Sequence, residues 1–160
     1  MELPQRKPTR LPEFDYSTPG AYFITICTKD RKNLFWEDVG ASIARPQLTP
    51  WGEIADKAIS QIPKHYPAIS VDHYVVMPNH IHLLLQINTD TDGRPMVAPT
   101  VSIVVQQLKG VITKQIGQSV WQKLFHDHVI RGDADYLKIW EYIDNNPIKW
   151  DEDCFYNDCQ

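Results

Sequence analysis

Two histidines separated by one residue, His80-Ile81-His82, stand in an otherwise apolar run, HIHLLLQI. Side chains alternate along a strand, so His80, His82, Leu84 and Gln86 share one face and Ile81, Leu83, Leu85 and Ile87 the other. Two imidazoles side by side on a buried strand can chelate one divalent cation, and they are costly to bury without a partner. Surface histidines, or core histidines paired to backbone, are the plainer alternative. His126-Asp127-His128 repeats the spacing, but beside Asp127, Arg131 and Asp133 it reads as an exposed or substrate-lining strand end. Joined to Cys154 and Cys159 it would make a two-His two-Cys zinc set, with a Cys-x4-Cys spacing at the edge of what zinc sites use. Further on, Tyr142 and Asn146 lie four apart and therefore stack on one helix face. A phenol beside an amide oxygen that could complete a cation's coordination suits phosphoryl transfer: the cation polarises a phosphate and tyrosinate attacks it. A core tyrosine on a capped helix is the alternative there. Tyr136 is the rival nucleophile on the same helix, but four residues later stands Trp140, which cannot ligate.

The elements that must hold these groups can be read from pattern. Ala21–Thr28 is β-branched and aromatic after the Pro19-Gly20 turn signal, which predicts a strand. Leu34–Trp36 and Ser42–Leu48 suggest a short hairpin. Thr49-Pro50-Trp51-Gly52-Glu53 starts a helix, with Ile54, Ala58, Ile59 and Ile62 at helical spacing and Pro63 closing it. Ser70–Met77 and His80–Ile87 read as an antiparallel pair joined through Pro78-Asn79. Asn88–Pro99 is a polar loop. Val101, Val104, Val105, Leu108, Val111 and Ile112 make Thr100–Ile116 an amphipathic helix despite its β-branched residues. Trp121–Ile130 reads as a strand. Asp133 is placed to cap a last helix, anchored by Leu137, Ile139, Trp140 and Ile143 and stopped by Pro147. Strand, helix, strand, strand, helix, strand, helix is the split β-α-β order of an α+β, ferredoxin-like or RRM-like fold, an antiparallel sheet with packed helices. That fold hosts many functions and decides none.

With 160 residues, 42% of them hydrophobic and 22% charged, the chain has one domain's worth of core and is neither disordered nor fibrous. No apolar run approaches the roughly 20 residues of a membrane span, and Met1–Leu11 is polar and proline-bearing, unlike a signal peptide. Three cysteines, Cys27, Cys154 and Cys159, are few and odd in number, which points to free thiols in a reducing, cytoplasmic setting. The net charge of −4 argues against a nucleic-acid partner until its distribution is considered. From Glu141 to Gln160 six acids face the single Lys149, a balance of −5, which leaves +1 on Met1–Trp140. Within that part Arg6, Lys7 and Arg10 cluster, as do Lys29, Arg31 and Lys32, and Lys109, Lys114 and Lys123 have no acid between them. Local patches of this kind can steer a polyanion, although solvated faces look the same in composition.

Four segments in order, AYFITICTKDR (Ala21–Arg31), VVMPNHIHLLL (Val75–Leu85), VWQKLFHDHVIR (Val120–Arg131) and YIDNNP (Tyr142–Pro147), resemble the REP-associated tyrosine transposases, members of the single-tyrosine HUH transposases of bacterial insertion sequences. The resemblance runs from about Arg6 to Trp150. Prolines and basic side chains mark 1–18 as an arm and the run of acids marks 151–160 as a tail, so a catalytic domain is expected over 19–150. The resemblance implies that His80 and His82 are the HUH pair and that Asn146 stands where the third ligand belongs, so that the three would hold Mg²⁺ or Mn²⁺. Tyr142 matches the nucleophile, which would leave a 5′-phosphotyrosine and a free 3′-hydroxyl. The implied substrate is single-stranded DNA recognised through a hairpin or palindromic repeat, and a homodimer stays open. The acidic tail is no DNA-binding extension, so binding is expected to rest on Arg6, Lys7, Arg10, Lys109 and Lys114. Two alternatives remain at this point. One is a catalytically silent single-strand-binding module that stacks bases on Trp121 and Phe125; the other is a metal-dependent hydrolase of small phosphoesters in which Tyr142 is only structural.

Overall fold

The computed structural model describes residues 14–37, 47–89 and 99–147. Strands β1 (Gly20–Cys27), β2 (Ile69–Val76), β3 (His80–Ile87) and β4 (His126–Val129) form one antiparallel sheet in the order β2-β3-β1-β4. The helices are α1 (Pro50–Ser60), the short α2 (Ile62–His65), α3 (Val101–Ile116) and α4 (Asp133–Asn145). This is the α+β, ferredoxin-like arrangement that the element order predicts. β1 and β3 are hydrogen-bonded on both sides, and as the central strands they are the most deeply buried.

Helices α1 and α3 cover one face of the sheet. Ala55, Ala58 and Ile59 from α1 and Val101, Val104, Val105, Leu108 and Ile112 from α3 are buried with Tyr22, Ile24, Ile26, Ile81, Leu83, Leu85 and Ile87. Both helices start as the sequence indicates: Thr49 accepts from the Gly52 N–H and Thr100 from the Ile103 N–H. Glycine at 52 has a steric cause, since a Cβ there would sit 2.3 Å from the Phe35 carbonyl oxygen. Gly117 ends α3 in the left-handed region at φ 93, a conformation an L side chain resists.

Several expectations are corrected. Pro63 does not close α1; it falls in the first turn of α2, where its missing N–H costs nothing. Asp133 is not the cap of α4. Gly132 holds that place at φ 95, and Asp133 and Asp135 lie in the first turn, where carboxylates suit the positive end. The strand expected over Trp121–Ile130 is only His126–Val129, because Trp121 makes a single bridge to Thr28 and the chain then leaves the ladder while Phe125 enters the core. Of the expected hairpin, Trp36 pairs with Leu48, and 38–46 lie outside the described residues. The described end of the arm, 14–18, packs inward: Phe14 lies edge-on to Tyr16 at 5.1 Å, and Tyr22 donates to the Thr18 carbonyl. The arm before residue 14, the loop over 90–98 and the tail over 148–160 lie outside the described residues.

Candidate active site

The strand register decides which side chains share the other face. Val75, His82, Thr25 and His126 lie opposite one another across β2, β3, β1 and β4, and so do His73, Leu84, Phe23 and His128. With His80, five of the chain's six histidines therefore lie on one side of the sheet. An irregularity between Val71 and His73 makes this possible on β2: Val71 opposes Leu85 on the oily side, and the extra residue Asp72 lets His73 oppose Leu84 on the other.

His80 and His82 are 0% and 2% exposed, as buried as any leucine of the core. Their Nε2 atoms lie 3.0 Å apart, while His80 Nδ1 meets Asn79 Oδ1 at 2.7 Å and His82 Nδ1 meets Thr25 Oγ1 at 2.9 Å. Two ring nitrogens at that distance share either one proton or one cation, since two N–H groups would repel. Burial, and then the field of His80, holds the His82 pKa well below the ordinary imidazole value, so its lone pair is available at neutral pH.

Helix α4 lies over this face. Its contacts fall on one stripe: Tyr136 donates to Asp72 Oδ2 at 2.7 Å, Trp140 stacks on His73 at 4.4 Å, and Ile143 and Asn146 are buried. Leu137, expected among the anchors, is 60% exposed because it sits off that stripe. His73 Nε2 and Asp144 Oδ1 are 3.4 Å apart, but their alignment makes no hydrogen bond, so the stacking on Trp140 is the firmer contact. Tyr142 stands at the edge of the helix, 41% exposed, with its ring 5.3 Å from that of His82 and 6.1 Å from that of Phe23. One turn later the buried Asn146 Oδ1 has no hydrogen-bond partner among the described residues. A buried, unpaired amide oxygen is costly, and a cation beside it would remove the cost. No set of three His, Cys, Asp or Glu side chains suited to a metal occurs among the described residues, so a third protein donor beside the two imidazoles would have to be of another kind, such as an amide oxygen. Two imidazoles and an amide oxygen fit a divalent transition ion such as Mn²⁺ better than Mg²⁺, which prefers oxygen.

The rival tyrosine is poorly suited to attack. Burial, together with the hydrogen bond to Asp72 and its charge, pushes the Tyr136 phenol up to about 12. The second histidine pair forms no metal site among the described residues: His126 is exposed, and His128 bonds Asp135 Oδ2 at 2.8 Å. Cys154 and Cys159 lie outside the described residues, as do Arg6, Lys7 and Arg10. Lys109 and Lys114 are on α3, across the sheet from the histidines. Lys114 is exposed, whereas half-buried Lys109 donates from Nζ to the Gln122 carbonyl, and burial lowers its pKa. Trp121 and Phe125 are 7% and 6% exposed in the core, so the stacking platform imagined for a silent binding module is not built from them. Thr25, Phe23 and Asn79 are site residues the sequence reading missed. Only Asn79 had a signal, as the polar residue next to His80 in the turn.

No family model matches the chain. A Haemophilus influenzae protein described as uncharacterized is 31% identical over 172 residues, 96% of this chain and 94% of its own. A second protein of that organism, provisionally assigned as a REP-associated tyrosine transposase, is 28% identical over 84% of this chain and 74% of its own. The REP-associated tyrosine transposase of Escherichia coli is 24% identical over 84% and 70%. Among solved structures, a REP-associated tyrosine transposase bound to a REP hairpin shares the fold at a TM-score of 0.65 and 23% identity, over 88% of this chain and 74% of the other.

Proposed function

We infer from its likeness to relatives at 28% and 24% identity that the chain is a REP-associated tyrosine transposase, and on that premise we propose that it cleaves and rejoins single-stranded DNA at hairpin-associated sites through a 5′-phosphotyrosine on Tyr142. The observation that carries this reading is the Tyr142 ring 5.3 Å from that of His82, whose Nε2 faces that of His80 at 3.0 Å; one turn further on, Asn146 Oδ1 has no partner among the described residues. In the first step the phenolic oxygen bonds to phosphorus as the bond from phosphorus to the 3′ oxygen breaks. The phenolic proton passes to solvent, to which Tyr142 is open, and the leaving oxygen takes up a proton to become the 3′-hydroxyl. Rejoining reverses the step with a second 3′-hydroxyl and frees the tyrosine. A cation held by His80, His82 and Asn146 would polarise the phosphate and offset its developing charge. An ordinary phenol keeps its proton at neutral pH, so the reaction needs that field. Phe23 and His82 orient the ring, and its half-exposed edge leaves room for a strand.

The partner proposed is a DNA hairpin, in keeping with the REP hairpin to which the solved relative is bound. No helix among the described residues is long and apolar enough to cross a membrane. The test is a labelled hairpin strand with Mn²⁺ or Mg²⁺, resolved on a denaturing gel. The wild type forms a protein-linked band, and Tyr142→Phe forms none while keeping fold and DNA affinity. An adduct on the Phe variant overturns the assignment.

A further inference from the structure

Asn79 is fully buried in the turn between β2 and β3, and its side chain is held from both ends. Its Nδ2 lies 3.4 Å from the Arg31 carbonyl oxygen, and its Oδ1 lies 2.7 Å from His80 Nδ1. A carbonyl can only accept, so the amide's NH₂ must be the end that faces Arg31. The oxygen is then left to His80, and because an amide oxygen also only accepts, the proton of the His80 ring must be on Nδ1. Nε2 keeps its lone pair, aimed at His82. We propose that Asn79 is a positioning residue that fixes the tautomer of His80 and so presets its Nε2 as a metal ligand.

The surroundings fit this role. Asp30 and Arg31 are consecutive non-glycine residues in the left-handed region, at φ 56 and 50, and they form the turn that presents the Arg31 carbonyl. Such backbone is strained and persists where neighbours over-determine it. Here the neighbours are Thr28 and Asn79. The Thr28 N–H donates to the Asn79 carbonyl at 3.0 Å, and its hydroxyl reaches the carbonyls of Lys32 and Asn79 at 2.9 and 3.1 Å. The TKDR and PN portions of the sequence motifs, which bear no ligand or nucleophile, thus form one brace behind His80. His82 differs. With His80 Nε2 bare, the metal-free form places a proton on His82 Nε2, pointing at it, and His82 Nδ1 accepts from the Thr25 hydroxyl. With a cation held by the two histidines, the His82 proton would belong on Nδ1, where the Thr25 hydroxyl can accept it, since a hydroxyl can serve either way.

The proposal rests on the metal reading only for its affinity arm. Imidazole ¹⁵N spectra of the metal-free, DNA-free protein read the tautomers directly. The wild type should show His80 protonated at Nδ1 and His82 at Nε2. Asn79→Asp should retain the His80 tautomer, and Asn79→Leu should mix both tautomers and weaken Mn²⁺ binding by about 10–100-fold. A wild-type His80 protonated at Nε2 overturns the proposal, as does a folded Asn79→Leu protein with an unchanged spectrum and Mn²⁺ affinity. If the Leu variant does not fold, the wild-type and Asp spectra still decide. A protein that shows these tautomers and yet forms no DNA adduct leaves this inference standing and removes the transposase mechanism.

Discussion

β3 presents two faces that are equally hidden from water and opposite in chemistry. On one side Ile81, Leu83, Leu85 and Ile87 meet α1 and α3, which together bury eight of their residues against the sheet. On the other His80 and His82 lie under α4, whose buried side chains are Ile143 and the Asn146 that follows it. The first face is closed by apolar contact, and its burial is stabilising at roughly 25 cal/mol per Å². The second contributes little of that. Its two central histidines have polar partners, His80 in Asn79 and His82 in Thr25, while among the described residues His73 Nε2 and the Asn146 amide oxygen are left without a hydrogen bond. Burial alone therefore does not distinguish a core from a site; what the buried atoms point at does. The thin cover of α4 also leaves an open margin where Tyr142 stands.

The largest expected contrast comes from neighbouring residues of the same strand. His80→Ala combined with His82→Ala should abolish Mn²⁺ binding and cleavage yet leave a folded protein, because the two donors contribute ligation more than packing. Leu83→Ala, one residue away, should cost about 2–5 kcal/mol of stability in denaturant titrations and leave Mn²⁺ affinity nearly unchanged. The reverse pattern would break the division between the faces. Next in size, Asn146→Ala should weaken Mn²⁺ binding about tenfold and slow cleavage, with little change in thermal stability, since it removes an oxygen that bonds nothing in the described structure. Tyr136→Phe should cost about 0.5–1.5 kcal/mol by releasing Asp72, while adduct formation persists. The smallest effect concerns charge. If DNA reaches α3, Lys114→Gln should reduce the salt slope of binding by about 0.7, and Lys109→Gln should lower stability instead, because its ammonium is engaged by the Gln122 carbonyl. Affinity that ignores both lysines would locate the interface on the histidine side.

Much of this contrast was legible in the sequence, where the alternation of β3 separates the two sets of residues directly. The 3–4 spacing of α3 was equally plain, because a helix against an apolar sheet repeats one kind of residue. α4 was harder. Its four apolar residues look like one stripe, but the sheet beneath offers histidines and Asp72, so the helix docks through Tyr136 and Trp140 and leaves Leu137 in solvent. Gly132 displaced Asp133 from the cap by adopting a φ that aspartate avoids. Thr25 could not be seen as the partner of His82, because strand register is a long-range property. Asn79 was visible as a turn residue, but its role depends on a carbonyl aimed by Asp30 and Arg31 from 48 positions upstream.

The central claim, that the margin beside the histidine face carries a nucleophile, is tested most directly by locating the adduct. The wild-type protein is reacted with a hairpin strand and Mn²⁺, digested with trypsin and nuclease, and the nucleotide-bearing residue is identified by mass spectrometry. Tyr136 and Tyr142 are separated by Lys138, so trypsin places them on different peptides. The account predicts a phosphonucleotide on Tyr142 alone. A modified Tyr136, or a cleaved strand with no modified tyrosine, would contradict it.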